Sequence, residues 1–153
     1  MLDFFDTYKE HGGPATLVLM GAKLMALPPV PWVRYVGLLS EADRISALES
    51  ATIVVVPSPF ESLSLLALEG MAVGHPVLCN ARADVLVDHC RRSNAGLFYS
   101  TREEFVECTD LLLAERGLRE RMGHNGRAYV TANYSWNVIM AKYDKLIAAL
   151  SPA

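Results

Sequence analysis

Two glutamates, Glu61 and Glu69, are the residues of this 153-residue chain with the most chemistry to offer. They bracket Ser62-Leu63-Ser64-Leu65, a stretch with two small hydroxyl side chains. Ionised carboxylates are strong acceptors for vicinal hydroxyl donors. If both lie on one helix, a separation of eight residues leaves Glu69 about 80° round from Glu61, so both can approach one elongated ligand. Glu69 stands among Leu68, Met71 and Ala72, where a carboxylate without a task is costly. The plainer reading is a solvated acid at a helix start plus one surface acid. Spacing alone leaves both open.

The surrounding segment must position these side chains. Thr52-Ile53-Val54-Val55-Val56 is an unbroken β-branched run, the pattern of a parallel strand buried on both faces. Pro57-Ser58-Pro59 ends it, because proline has no N–H for the ladder. From about Ser62 the residues favour helix, Gly74 stands where a C-terminal cap is expected, and Pro76 forces a new strand over Pro76–Cys79. The unit is strand, acidic loop, helix, strand. Ligands of open α/β sheets bind at such a loop, and the helix start near Ser62 to Leu65 offers unpaired N–H groups and a positive dipole end to an anion.

The remaining chain repeats the alternation. Residues 2–10 read as the tail of an amphipathic helix, Thr16–Gly21 and Val33–Gly37 as strands, and Leu27–Pro31 as a stiff connector. Ser40-Glu41-Ala42-Asp43 opens a helix to Glu49 with a Ser-x-x-acid cap. Helices follow over 84–92, 101–114, 118–133 and 135–150, with a strand at Gly96–Tyr99. Short strands alternating with helices predict a doubly wound, parallel α/β sheet in a single domain over residues 1–153. The final helix places Trp136, Ile139, Met140, Tyr143, Leu146, Ile147 and Leu150 on one stripe, expected to pack into the core, with part of it left exposed if its packing partner is incomplete.

Composition narrows the function. A formal net charge of −3 gives no electrostatic support to a nucleic-acid partner. No apolar run reaches the roughly 18 residues of a spanning helix, and no secretory signal is visible. Cys79, Cys90 and Cys108 are odd in number without CxxC spacing, so they read as reduced thiols of a cytoplasmic protein. His11, His75, His89 and His124 share no ligand spacing with them, so no metal is expected.

Pro57-Ser58-x-x-Glu61-Ser62-x-x-Leu65-x-x-x-Glu69-x-x-x-x-Gly74-x-Pro76-Val77 resembles the E-x7-E region of the retaining family-4 glycosyltransferases of GT-B fold. Arg34–Ser40, Asn94–Phe98, Arg119–Gly123 and Tyr134-Ser135-Trp136 resemble further segments of that family, in the same order. The resemblance covers roughly residues 16–150 and implies the Rossmann-like, donor-binding C-terminal half of such an enzyme. It implies transfer of a sugar from a nucleotide-diphosphate sugar, a substrate rather than a cofactor, to an acceptor hydroxyl with retention. By that likeness Glu61 is the catalytic-site acid on donor-sugar hydroxyls, and Glu69 binds the ribose. Ser62, Leu63, Ser64 and Leu65 meet the diphosphate and sugar, and Leu38 and Leu39 pack on the base. Two alternatives stand beside this: one half of a nucleotide-sugar epimerase of the same architecture, and a non-catalytic assembly module.

The chain departs from the family at several places. Serines occupy Ser62 and Ser64, where the family often has glycine; they read equally as phosphate ligands or as ordinary helix caps. Asn80-Ala81-Arg82-Ala83-Asp84 replaces a Gly-Gly loop, with Arg82 as a substitute positive charge near the diphosphate or as a solvated loop arginine. The family's first central strand, with its basic segment, has no counterpart. The strands at Thr16 and Thr52 are therefore expected to face each other across a gap, in a piece of a longer protein whose N-terminal acceptor domain is absent. The exposed edges would invite a homodimer or strand swap. Such a chain should bind donor weakly and turn over little by itself.

Overall fold

The β-branched and aromatic runs form five short strands, all paired in parallel. A computed structural model describes residues 1–150. In chain order it contains α1 (Leu2–Glu10), β1 (Leu17–Met20), β2 (Val33–Gly37), α2 (Glu41–Glu49), β3 (Val54–Val56), α3 (Leu65–Ala72), β4 (Val77–Asn80), α4 (Asp84–Ser93), β5 (Gly96–Tyr99), α5 (Arg102–Ala114), α6 (Arg116–Tyr134) and α7 (Trp136–Leu150). The expected α/β class and doubly wound arrangement are present.

Alternation along the central strands builds two apolar layers. Val54, Val56, Val77 and Cys79 face Leu68 and Met71 of α3 and Leu86 and Cys90 of α4. Val55 and Leu78 face the opposite layer, where Phe5 and Tyr8 of α1 meet Phe105 and Leu112 of α5. Val77, Leu78 and Cys79 are wholly inaccessible. Each fully buried aliphatic side chain of this kind contributes about 1.5–3 kcal/mol. That layer of helices on both faces is what makes β4 an unbroken apolar strand.

The sheet comes in two pieces, β1-β2 and β3-β4-β5. The N–H of Leu17 bonds the Trp32 carbonyl, so Leu17 and Leu19 point their backbone groups at β2 while those of Val18 point away. The N–H of Val54 likewise bonds the Pro76 carbonyl, turning the backbone groups of Val55 from β4 toward β1. A cavity of about 560 Å³ separates the two edges, lined by residues of β1 and β3 and closed by Phe5, Leu48, Leu66 and Phe105. The gap expected between these strands is therefore real, and residues 2–10 form helix α1 rather than a strand.

One boundary and one packing expectation need correction. Helix α3 begins at Leu65, three residues later than Ser62, because Ser64 takes a left-handed backbone conformation. Glu61 is thus in the preceding loop, and the helical angle between the two glutamates does not apply. The apolar stripe of α7 does not enter the core: Trp136 is 80% and Leu150 74% exposed, and no residue of α7 is buried. Both faces of the sheet are already covered by other helices, and α7 packs mainly against α6.

Candidate functional site

Helix α3 is held at both ends, and this sets where its N-terminus points. At its C-terminus Gly74 adopts φ +83°, the His75 N–H bonds the Gly70 carbonyl, and the Gly74 N–H bonds the Met71 carbonyl, which is the Schellman pattern of bonds. Arg127 of α6 donates to the Val73 carbonyl at 2.8 Å. At the N-terminus the first intrahelical bond runs from Leu68 N–H to the Ser64 carbonyl. The N–H groups of Leu65, Leu66 and Ala67 consequently have no acceptor within the helix. No acidic side chain occupies the first turn of α3, so nothing in the helix opposes an anion there.

Ser64 neither caps the helix nor escapes it. It is buried, its φ is +61°, and its Oγ is buried with no hydrogen-bond partner. A left-handed conformation costs a residue with Cβ about 1–2 kcal/mol, and an unsatisfied buried hydroxyl about 1–3 kcal/mol more. Ser64→Gly removes both terms and gives back roughly 1 kcal/mol in chain entropy. We expect a net stabilisation of about 1–2 kcal/mol, read by urea denaturation; a loss of stability would mean that the hydroxyl has a partner. The ordinary-capping role considered for Ser64 is excluded by the same geometry.

The loop before the helix is folded by side chains on both sides. Ser58 Oγ donates to the Phe60 carbonyl at 2.7 Å and accepts from the Phe60 N–H. Asn80, at the end of β4, donates through Nδ2 to the Pro57 carbonyl and accepts through Oδ1 from the Arg82 N–H, each at 3.0 Å. One amide side chain thereby joins the loop carrying Glu61 to the loop carrying Arg82. Between them lies an open hollow of about 600 Å³, lined by Pro59, Phe60, Glu61, Ser62, Arg82, Ala83, Asp84 and Val85. Glu61, Ser62 and Arg82 are brought together; Arg82 is exposed at the rim.

Beneath the mouth is a buried support that sequence patterning did not reveal. His89 of α4, 2% exposed, bonds the Leu63 carbonyl through Nε2 at 2.9 Å and the Tyr129 hydroxyl through Nδ1 at 3.0 Å. A carbonyl only accepts, so Nε2 carries the proton that it donates to Leu63. His89 also packs edge-on against Tyr129 and Tyr134. Burial pushes the Tyr129 phenol up, which keeps it a donor. Cys79 lies under the same loops with its thiol raised by a hydrogen bond with Cys90 and by burial, so it stays protonated and inert.

Glu69 stands apart from the hollow. It lies on the second turn of α3 and pairs with Arg44 on the first turn of α2; the two side chains are 35% and 34% exposed. The half-buried carboxylate is therefore not idle, and its partner is a residue for which the sequence carried no local signal. Leu38 and Leu39 follow β2 at the same end of the sheet, Leu38 80% exposed and Leu39 half-buried. Leu63 and Leu65 are also exposed at the mouth. Among the described residues no group of three His, Cys, Asp or Glu side chains is placed to hold a metal, and no helix is long and apolar enough to cross a membrane. The larger contrast is with the cavity between β1 and β3, which has no ionisable side chain; the polar hollow is the site with chemistry.

Residues 30–129 match the family described as glycosyl transferases group 1. The MMP alpha-(1->4)-mannosyltransferase of Mycolicibacterium hassiacum is 32% identical over 121 residues, which is 74% of this chain and 29% of that protein. A D-inositol 3-phosphate glycosyltransferase of Salinispora arenicola is 30% identical over 78% of this chain and 28% of that protein. Among solved structures, sucrose-phosphate synthase from Thermosynechococcus elongatus superposes with a TM-score of 0.82 at 22% identity, covering 97% of this chain and 41% of that one. The C-terminal domain of LpcC from Francisella tularensis superposes with a TM-score of 0.61 at 21% identity, covering 86% and 60%. The chain spans about a third or less of the length of the curated relatives it matches.

Proposed function

The chain belongs to the glycosyl transferases of group 1, and from that premise we propose that it is the donor-binding domain of a retaining enzyme using a nucleotide-diphosphate sugar. The observation that carries this reading is the mouth of α3. Free N–H groups at Leu65, Leu66 and Ala67 and an acid-free first turn meet in one place. A diphosphate leaving group accumulates negative charge as the glycosidic bond breaks, and fixed donors aimed at it lower that barrier without reorganising. Arg82, exposed at the rim of the hollow that Glu61 and Ser62 line before the helix, supplies a positive side chain.

Each remaining residue has a part of the donor to recognise. Glu61 lies in the hollow with Ser62, where its carboxylate accepts from sugar hydroxyls. Glu69, on the α2 side of α3, accepts from the ribose. Leu38 and Leu39 offer an apolar surface to the base at the end of β2. The acceptor hydroxyl and its base belong to the N-terminal half of the full enzyme, so this domain by itself is a binder with little turnover. The family match favours transfer over epimerisation. The relatives' names differ in acceptor, and no acceptor follows from them for this chain.

Calorimetric titration with UDP, GDP and ADP tests the proposal. Saturable binding of one nucleotide supports it and identifies the base. Silence toward all three overturns it.

A further inference from the structure

We propose that Arg44 is the positioning residue that aims Glu69 at a ribose, and that through it the domain selects ribonucleotides over 2′-deoxyribonucleotides. This rests on the reading of the α3 mouth as a nucleoside-diphosphate site and names a determinant within that site.

Two backbones are fixed. Ser40 caps α2, its Oγ accepting from the Asp43 N–H at 3.1 Å, and the Arg44 N–H bonds the Ser40 carbonyl at 2.9 Å. Arg44 is thus pinned at the first closed turn of its helix. Glu69 stands between Leu68 and Gly70, both buried, and a Cβ on Gly70 would come within 3.1 Å of all three Val54 side-chain carbons. The backbone at Glu69 therefore has no room to shift toward the sheet. Only the Glu69 side chain is left to choose a direction, and the Arg44 guanidinium chooses it by donating from Nη1 to Oε2.

That contact leaves Oε1 without a protein donor and held in one place. A carboxylate oxygen can accept from a hydroxyl while its neighbour accepts from a guanidinium, whose planar fork is already organised. Charge points the same way. A nucleoside diphosphate brings negative charge to the α3 mouth about one turn from Glu69, and an uncompensated carboxylate there would repel it. Pairing with Arg44 makes the local sum near zero. The guanidinium is in turn held fully ionised by the hydrogen bond and charge of Glu69, with a smaller contribution from Glu41. A single solvent-accessible ion pair contributes little to folding, and this half-buried pair fits an orienting role.

The test uses the intact chain, the nucleotide of UDP, GDP and ADP that binds it, and the 2′-deoxy form of the same nucleotide. The wild type is expected to prefer the ribonucleotide by roughly tenfold or more, the scale of one hydrogen bond to a charged group. Arg44→Ala should erase most of that preference while its melting temperature stays near that of the wild type. Arg44→Lys keeps a charge and a donor and should restore part of it. In Glu69→Gln, the further change Arg44→Ala should have no additional effect on ribose preference, because Arg44 acts through the carboxylate. An Arg44→Ala variant that keeps its ribose preference, or that binds nucleotide more tightly because Arg44 competes for Glu69, overturns the proposal. Absence of any nucleotide binding by the wild type overturns it too, and that result identifies the underlying reading as what failed.

Discussion

Gly123→Val is expected to abolish folding at ambient temperature, and even Gly123→Ala should cost more than about 4 kcal/mol, an exceptional loss for one methyl group. A Cβ at Gly123 would lie 2.0 Å from the Gly74 carbonyl oxygen and 2.9 Å from its carbon. Those are backbone atoms, and Gly74 is itself locked by φ +83° and the bonds that end α3. No side chain is present to rotate away. One turn further, a Cβ at Gly126 would meet the Met71 backbone at 3.1 Å, so the two glycines form the strip on which α6 lies against α3. Helix propensity alone would reward Gly→Ala by about 1 kcal/mol, which makes the sign of the result decisive. Gly117→Ala, in the same helix, is the control: its Cβ would meet only the flexible Arg121 side chain, at 3.5 Å, and it should stabilise slightly. Chemical denaturation of both variants reads the difference. The consequence reaches the site, because α6 sets the tilt of α3 and so the direction of the N–H groups at its mouth.

Local signals in the sequence suffice where local chemistry decides the structure. The Gly74 and Pro76 punctuation ends α3 and starts β4, and Ser40 caps α2. The gap between β1 and β3 is what the family resemblance implies, because the first central strand of that family has no counterpart in this chain. Ser64 was harder. A small hydroxyl residue before a helix is the pattern of a cap, yet a left-handed backbone turns its side chain away from the helix N–H groups. Glycine in the family at this position has its physical reason in that conformation. Arg44 and His89 were invisible for another cause. Arg44 meets a partner 25 positions away and His89 one 26 positions away. No periodicity or spacing encodes such pairings; the stacking of α2 on α3, and of α4 beneath the loop, creates them. The α7 stripe shows the converse, since its period is that of a buried helix while the surface that would bury it is not among the described residues.

The division of labour between the two glutamates gives the largest functional effect. Glu61 lies four residues before α3, in the hollow with Arg82, whereas Glu69 lies on the opposite side of the helix start beside α2. A ligand whose diphosphate sits at the N–H groups between them must extend its sugar to one side and its nucleoside to the other. Glu69→Ala should therefore weaken the bare nucleoside diphosphate and the nucleotide sugar equally, by roughly 10- to 100-fold, the range for a lost hydrogen bond to a charged group. Glu61→Ala should leave the nucleoside diphosphate unaffected and remove the extra affinity that the sugar provides. In the full enzyme the same change should lower kcat by about a hundredfold or more, because sugar hydroxyls held in place keep the anomeric carbon aligned with its attacker. Parallel titrations of both variants with the two ligands measure this directly. Equal losses of nucleoside diphosphate in both variants would mean that the carboxylates share one subsite. The hollow at Glu61 and the ion pair at Glu69 argue for two, because one carboxylate faces an open space with no ion-pair partner and the other is already aimed by a fixed cation.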